Sequence, residues 1–458
     1  MTEAQTLSQQ VSQFVATRAY DDIPQAVRER AKLVMLDAIG NAFAASRYPF
    51  VPVALSALSS LGSGASTVMG LDAKLALRDA VVMNGILVHG LDYDDTYLPG
   101  SVHLSASCVP VVLGMGAHAG ASGEAMLMAT VLGLEIAARV AAAARGGFVN
   151  AGFHATGIAG AFGSTVAAGR LMNLDAAQHT LAQGVALSLT SGTLQPLQEG
   201  SWTKRVHPGW AGASGITAAA FARAGYLGPA QAYDGHFGLY SCFLGEHKGS
   251  AQPQAVVEGL GETWEFTRTS IKLFPACHQL HAFMNCAITL AKEQSFTADN
   301  VESVRALVAD AAVPLVCEPL ASKLKPASSY SAQFSLPYSV ACALSRGRFG
   351  LNEIEAPSYT DGELLKLANK VSYEIDPNSG FPKSRSGEII VKMKNGRELR
   401  HRDNILPDEP ASAASIVDKF MQNTDGILPP ERAERIRDAV LALERVAQAG
   451  GFVCTLGK

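Results

Sequence analysis

Apolar residues recur at helical spacing from the first segment of the chain onward. Leu7, Val11, Phe14 and Val15 fall at i, i+4, i+7 and i+8, which predicts an amphipathic helix within residues 1–20. Asp21 and Asp22 before Ile23-Pro24 mark a helix stop and restart. Val27, Ala31, Val34 and Ala38 then share one side of a second helix, over about 25–46. Asp72 is placed to cap a third, running to about Val88. From Leu104 to about Tyr226 the sequence is mostly Ala, Gly, Leu and Val, in blocks near 104–119, 124–146, 155–171, 176–192 and 207–226. Helices that are apolar all round and rich in small residues pack closely on every side. Glu135 and Arg139, four apart on one of them, are read as an internal ion pair.

The pattern changes around Trp264. Lys272 to Pro275 is extended, His281 to Gln294 and Ser331 to Leu344 are helical, and Val301 to Val308 and Val371 to Ile375 read as strands. Gly387 to Met393 and Arg397 to Arg402 flank Asn395-Gly396, which predicts a hairpin closed by a type I′ turn. After the linker NILPDEP, two further helices at about 411–422 and 429–448 suit packing back on the first helical part. The expected fold is therefore mainly α. A large all-helical domain is formed by both chain ends (1–266 and 403–458), with a smaller α+β domain inserted at 267–402.

Composition narrows the function. With 458 residues, 48% hydrophobic and 17% charged, the chain can bury sizeable cores. A net charge of -4 without a basic stripe argues against nucleic acid as a partner. Seven scattered cysteines, with no C-x-x-C, suit reduced thiols in the cytoplasm and neither a disulfide framework nor an iron–sulfur cluster. The first ten residues show no signal-peptide pattern, and the longest charge-free run, Thr96 to Gly123, is broken by His, Pro and Gly, so no membrane span is expected. GIAGAFGS at 157–164 lacks the spacing and the preceding strand of a dinucleotide site and reads as close helix packing.

Chemistry concentrates in HGLDYDDTYLPGSVH, His89 to His103, where three aspartates, a threonine and two histidines interrupt apolar sequence. Charge near a core is costly unless paired or used. The bland reading is a loop whose aspartates cap helices. A metal site is less favoured than a hydrogen-bonded acid/base network in which an aspartate orients a histidine. His154 in NAGFHATG reads either as a capping residue or as a further base. Lys204 and Arg205, in the polar island EGSWTKRVHPG, suit either a solvated loop or an anion site. His278 and His281 in FPACHQLHAF are either structural or ligand-facing.

Together LDAIGNAFAAS, HGLDYDDT with His103, GFHATG, TKRVHPG and FPACHQLHAF resemble the MmgE/PrpD family, across essentially the whole chain. The resemblance implies a helical domain with an inserted α+β lid, a homodimer, and cofactor-free, metal-free chemistry on small polycarboxylates. Carried over motif by motif, it implies Asp92, Thr96, His103, His154 and Lys204 as catalytic residues, with His278 on the lid; Arg205 and Lys272 are candidates for holding carboxylates. The chain departs from the family where His103-Leu104-Ser105 replaces His-Pro-Ser. The spacing from Thr96 to His103 is one residue longer, and Leu320 stands where decarboxylating members carry a lid tyrosine. As a whole it is most similar to members that epimerise iminodisuccinate, which implies α-proton abstraction and reprotonation on the opposite face. The alternative is a lyase of the 2-methylcitrate dehydratase or cis-aconitate decarboxylase type.

Overall fold

Why the helices of the central block lie so close together is visible at their glycines. In the computed structural model, which describes residues 4–381, 383–406 and 410–458, a Cβ at Gly163 would sit 2.4 Å from the carbonyl oxygen of Gly133. This contact presses Ala155–Leu171 against Gly123–Ala143. A Cβ at Gly160 would meet the Ser107 hydroxyl at 2.5 Å. GIAGAFGS is thus a packing surface, as its small residues predict. Leu77–His89 crosses Val206–Arg223 in the same way, since a Cβ at Gly85 would lie 2.3 Å from the Gly209 Cα. That crossing brings the C-terminal end of one helix beside the first turn of the other.

The protein is mainly α and divides into two compact units, Met1–Ile271 with Pro410–Lys458, and Lys272–Glu409. In the first unit the long helices are Leu7–Thr17, Gln25–Ala45, Leu77–His89, Ser105–Ala119, Gly123–Ala143, Ala155–Leu171, Ala176–Leu189 and Val206–Arg223. Ala413–Thr424 and Pro430–Leu441 pack back on Gln25–Ala45. Gly123–Ala143 is long and apolar enough to cross a membrane by length and composition, yet 89% of its apolar window is buried inside the protein. Glu135 and Arg139 form the ion pair expected of them, at 2.5 Å. Arg139 also donates to the carbonyls of Glu258 and Thr263, and Glu135 accepts from the Phe266 N–H, so the pair fastens an irregular segment to the helix.

Several local expectations shift. The first helix starts at Leu7 because Thr6 and Gln9 form a capping box; residues 1–3 of the expected span lie outside the described residues. Asp72 caps nothing. Residues 66–75 form a small hairpin of β1 (Ser66–Thr67) and β2 (Lys74–Leu75), and the next helix begins at Leu77 after Ala76. Helix Phe50–Ser59 was not foreseen.

In the second unit β3 (Val301–Val308), β4 (Val371–Ile375), β5 (Arg385–Met393) and β6 (Glu398–Ile405) form one sheet in the order β4-β3-β5-β6. Only β3 and β4 run parallel. Helices His281–Ala291 and Leu336–Arg346 share its core with the sheet. The β5–β6 hairpin is closed differently from the expected type I′ turn. Gly396 alone is left-handed (φ 85°), and its N–H bonds to the Met393 carbonyl while Met393 pairs with Arg397. This is the three-residue loop with a glycine at the left-handed position. Residues 407–409 of the NILPDEP linker lie outside the described residues.

Candidate functional site

The His89–His103 loop is held in shape by its own polar residues. Asp92 adopts a left-handed backbone (φ 51°), which aspartate tolerates better than most residues. Asp95 accepts from the Leu104 and Ser105 N–H groups at 3.1 and 3.0 Å, satisfying donors at the start of helix Ser105–Ala119. Capping is therefore right for Asp95. Asp94 does something else: one oxygen lies 2.9 Å from His89 Nδ1 and the other 3.4 Å from His103 Nδ1. Thr96 pairs its backbone with Ser270, at 2.8 and 2.9 Å, and its hydroxyl is buried with no hydrogen-bond partner among the described residues.

Three imidazoles converge from three elements. His89 ends helix Leu77–His89, His103 precedes Ser105–Ala119 and donates its N–H to the Thr156 hydroxyl, and His154 is the N-cap residue of Ala155–Leu171. Ring centroids are 4.6 Å apart for His89–His103, 5.5 Å for His89–His154 and 6.2 Å for His103–His154. His154 Nδ1 meets His207 Nδ1 at 3.0 Å, one ring donating to the other. Lys204, in the 3-10 turn Trp202–Arg205, places its ammonium 3.2 Å from Asp92, whose other oxygen lies 3.6 Å from His103 Nε2.

Burial decides the protonation of this cluster. It pushes His89 down to about 4, against the pull of the Asp94 carboxylate. It also holds His154 well below the usual imidazole range, helped by the Lys204 charge and the neighbouring rings. His207 is lowered by burial and then by Lys204. For Asp94, burial acts to raise the carboxyl, but the two imidazoles outweigh it and the group stays well below its ordinary value. The consistent assignment is a neutral His89 whose Nδ1–H donates to an ionised Asp94. The lone pair then sits on His89 Nε2, which is buried with no hydrogen-bond partner among the described residues, as is His154 Nε2. Neutral imidazoles beside an ammonium–carboxylate pair can take a proton, return one and attract an anion.

Of the residues expected from the sequence, Asp92, His103, His154 and Lys204 come together here. Thr96 is on the same loop. Arg205 donates its Nε–H to the Gly90 carbonyl at 2.7 Å and lies over the Phe50 ring, so it braces the loop from behind. Lys272 and His278 belong to the second unit, where the His278 ring lies 4.7 Å from that of His281. His89 and His207 were noted within their motifs but given no role of their own. The signal for His207 was its place three residues after Lys204, one helical turn away. Nor had a buried brace been foreseen behind the loop: Lys419 donates to the Tyr93 carbonyl at 2.8 Å and pairs with Asp37 at 2.6 Å.

Residues 9–252 match the MmgE/PrpD N-terminal domain and residues 274–445 the MmgE/PrpD C-terminal domain. The chain is similar to a cis-aconitate decarboxylase-like protein of Aspergillus oryzae, at 23% identity over 95% of this chain and 94% of the relative. It is also similar to the cis-aconitate decarboxylase of Aspergillus terreus, at 25% identity over 96% and 94%, and to that of Homo sapiens, at 25% over 91% and 88%. With both domain models matched in order along nearly its full length, the chain belongs to the MmgE/PrpD family.

Proposed function

We propose that this protein is a lyase that decarboxylates a small polycarboxylate of the cis-aconitate type, using only its own side chains. The observation that carries the reading is the meeting of His154 and His103 with the Lys204–Asp92 pair in one largely buried cluster. Loss of carbon dioxide breaks the bond between the substrate carbon and a carboxyl carbon. The bonding pair stays on the substrate, delocalised towards a remaining carboxylate, and a proton must be delivered to the carbanion. A cation stabilises that developing charge, and a positioned acid quenches it. Lys204, as an ammonium, is assigned both to the charge and to the proton delivered to the carbanion; His154 or His103 then relays a proton from solvent back to the lysine, and Asp92 and Asp94 orient them. Thr96 on the same loop and Arg205, both of the first unit, complete the proposed set, in a cytoplasmic homodimer that needs no cofactor.

The activities for which the relatives are named favour decarboxylation over the epimerisation of iminodisuccinate expected from overall resemblance. One observation favours epimerisation as a second reading: Leu320 stands where the resemblance calls for a tyrosine in decarboxylating members. The same residues would then remove an α-proton on one face and return one on the other. Incubation with cis-aconitate under a carbon dioxide trap tests the leading reading. Release of about one equivalent per substrate consumed, lost in Lys204→Ala and His154→Ala, supports it. No release from cis-aconitate or related tricarboxylates overturns it.

A further inference from the structure

The cluster has a property that acid/base chemistry does not require. One ring nitrogen each from His89, His103 and His154 lies within 4.8 Å of the other two, and all three side chains are buried. His89 Nε2 and His154 Nε2 are both without a hydrogen-bond partner among the described residues. Their opposite nitrogens are held, His89 Nδ1 by Asp94 and His154 Nδ1 by His207. A histidine fixed from behind by a carboxylate or another acceptor, with its second nitrogen bare, is the arrangement that orients imidazole ligands on metal ions. The surrounding charge also suits a cation: Asp92 and Asp94 provide two carboxylates against the single ammonium of Lys204.

We propose that His89, His103 and His154 form a three-nitrogen site for a borderline d-block dication such as Zn2+ or Co2+, and that its occupancy inhibits the enzyme. Imidazole donors select such ions over Mg2+ and Ca2+, which take oxygen ligands. Three ligands leave a fourth position open for water. Metal–nitrogen distances of roughly 2.0–2.1 Å require the rings to draw together, which their convergence from three helix ends allows by side-chain rotation. The bound ion occupies the lone pairs of His103 and His154, so proton transfer through them stops. This inhibitory half rests on the proposed carbon-acid chemistry; the binding half does not.

The test starts from full-length protein freed of metal with a chelator and dialysed. Titration with Co2+ should give the visible ligand-field bands of a four-coordinate ion, saturating at one per chain and displaced by Zn2+. His89→Ala should weaken binding by more than about 100-fold, and Asp94→Asn by about 10–100-fold, the range for partners that orient a ligand. A variant of the exposed His236 should bind as the parent does. Because His89→Ala removes a buried group, Asp94→Asn and His207→Ala, with circular dichroism unchanged, keep the test open if it fails to fold. Octahedral-type spectra, binding without a one-to-one endpoint, or binding indifferent to Asp94→Asn and His207→Ala overturn the site, while the lyase reading stands. One equivalent of Zn2+ bound with turnover unaffected overturns the inhibition.

Discussion

Replacing Lys419 with methionine would remove one partner of a buried ion pair while keeping the length and most of the apolar volume of the side chain. Lys419 is 3% exposed and Asp37 1%. The ammonium lies 2.6 Å from the carboxylate, 2.8 Å from the Tyr93 carbonyl and 3.7 Å from the centroid of the Tyr93 ring. Breaking a buried pair from one side costs about 3–5 kcal/mol, because the remaining charge is stranded. Burial already pushes Asp37 up from 3.8 to about 6, against the opposing effect of Lys419. In the fold, therefore, it is the ionised form of Asp37 that is disfavoured. The stability this group contributes is largest below about pH 4 and declines as pH rises through 6. Without Lys419 the carboxyl takes up a proton more readily still, so at about pH 5 the variant should lose the hydrogen bond and ring contact to Tyr93 but little of the ion pair, about 1–2 kcal/mol. At about pH 8 the full 3–5 kcal/mol should appear. Urea denaturation followed by circular dichroism at both pH values, reading the transition that the substitution shifts, measures the difference. Equal losses at the two pH values, or less than about 1 kcal/mol at pH 8, would refute the reasoning.

Other outcomes follow from the same structure. Gly163→Val should destabilise the first unit by about 3 kcal/mol or more, read as a lowered urea midpoint, because the new carbons meet the Gly133 carbonyl. His179, fully buried and with neither ring nitrogen hydrogen-bonded among the described residues, is pushed down to about 4 by burial. The folded protein therefore resists its protonation, and stability should fall as pH drops from about 6.5 towards 4; His179→Leu should flatten that acid limb in thermal melts. Since His154 is held well below the usual imidazole range, first by burial and then by Lys204, the base form should persist on acidification. The acidic limb of kcat/KM should lie below pH 6.5, and a limb above 7 would contradict the assignment of His154. Light scattering should report twice the chain mass if the protein is the proposed homodimer.

How much of this was legible in the sequence depends on the distance over which each feature is decided. Ala155–Leu171 and Val301–Val308 match their expected bounds because small-residue packing and period-two alternation are written locally. Asp72 misled because a capping residue looks the same whether a helix or a hairpin follows, and pairing between Thr67 and Lys74 decided it. Asn-Gly marked a turn correctly, but its type depended on strand register. In the candidate site, the motif residues Asp92, His103, His154 and Lys204 stood out by being polar in apolar sequence. His89 gained its place only through Asp94, and the Asp37–Lys419 brace joins residues hundreds of positions apart. Periodicity identifies buried faces; it does not say which buried polar groups meet across them.

The central claim is that neutral imidazoles and a paired lysine perform proton chemistry at a carbon beside a carboxylate. Proton NMR of substrate turnover in deuterium oxide tests it most directly. With cis-aconitate, the account predicts a decarboxylated product carrying one solvent-derived deuterium per molecule at the carbon that received the proton, with no such product from Lys204→Ala or His154→Ala. Product formed without deuterium, or at parental rate by both variants, would contradict it.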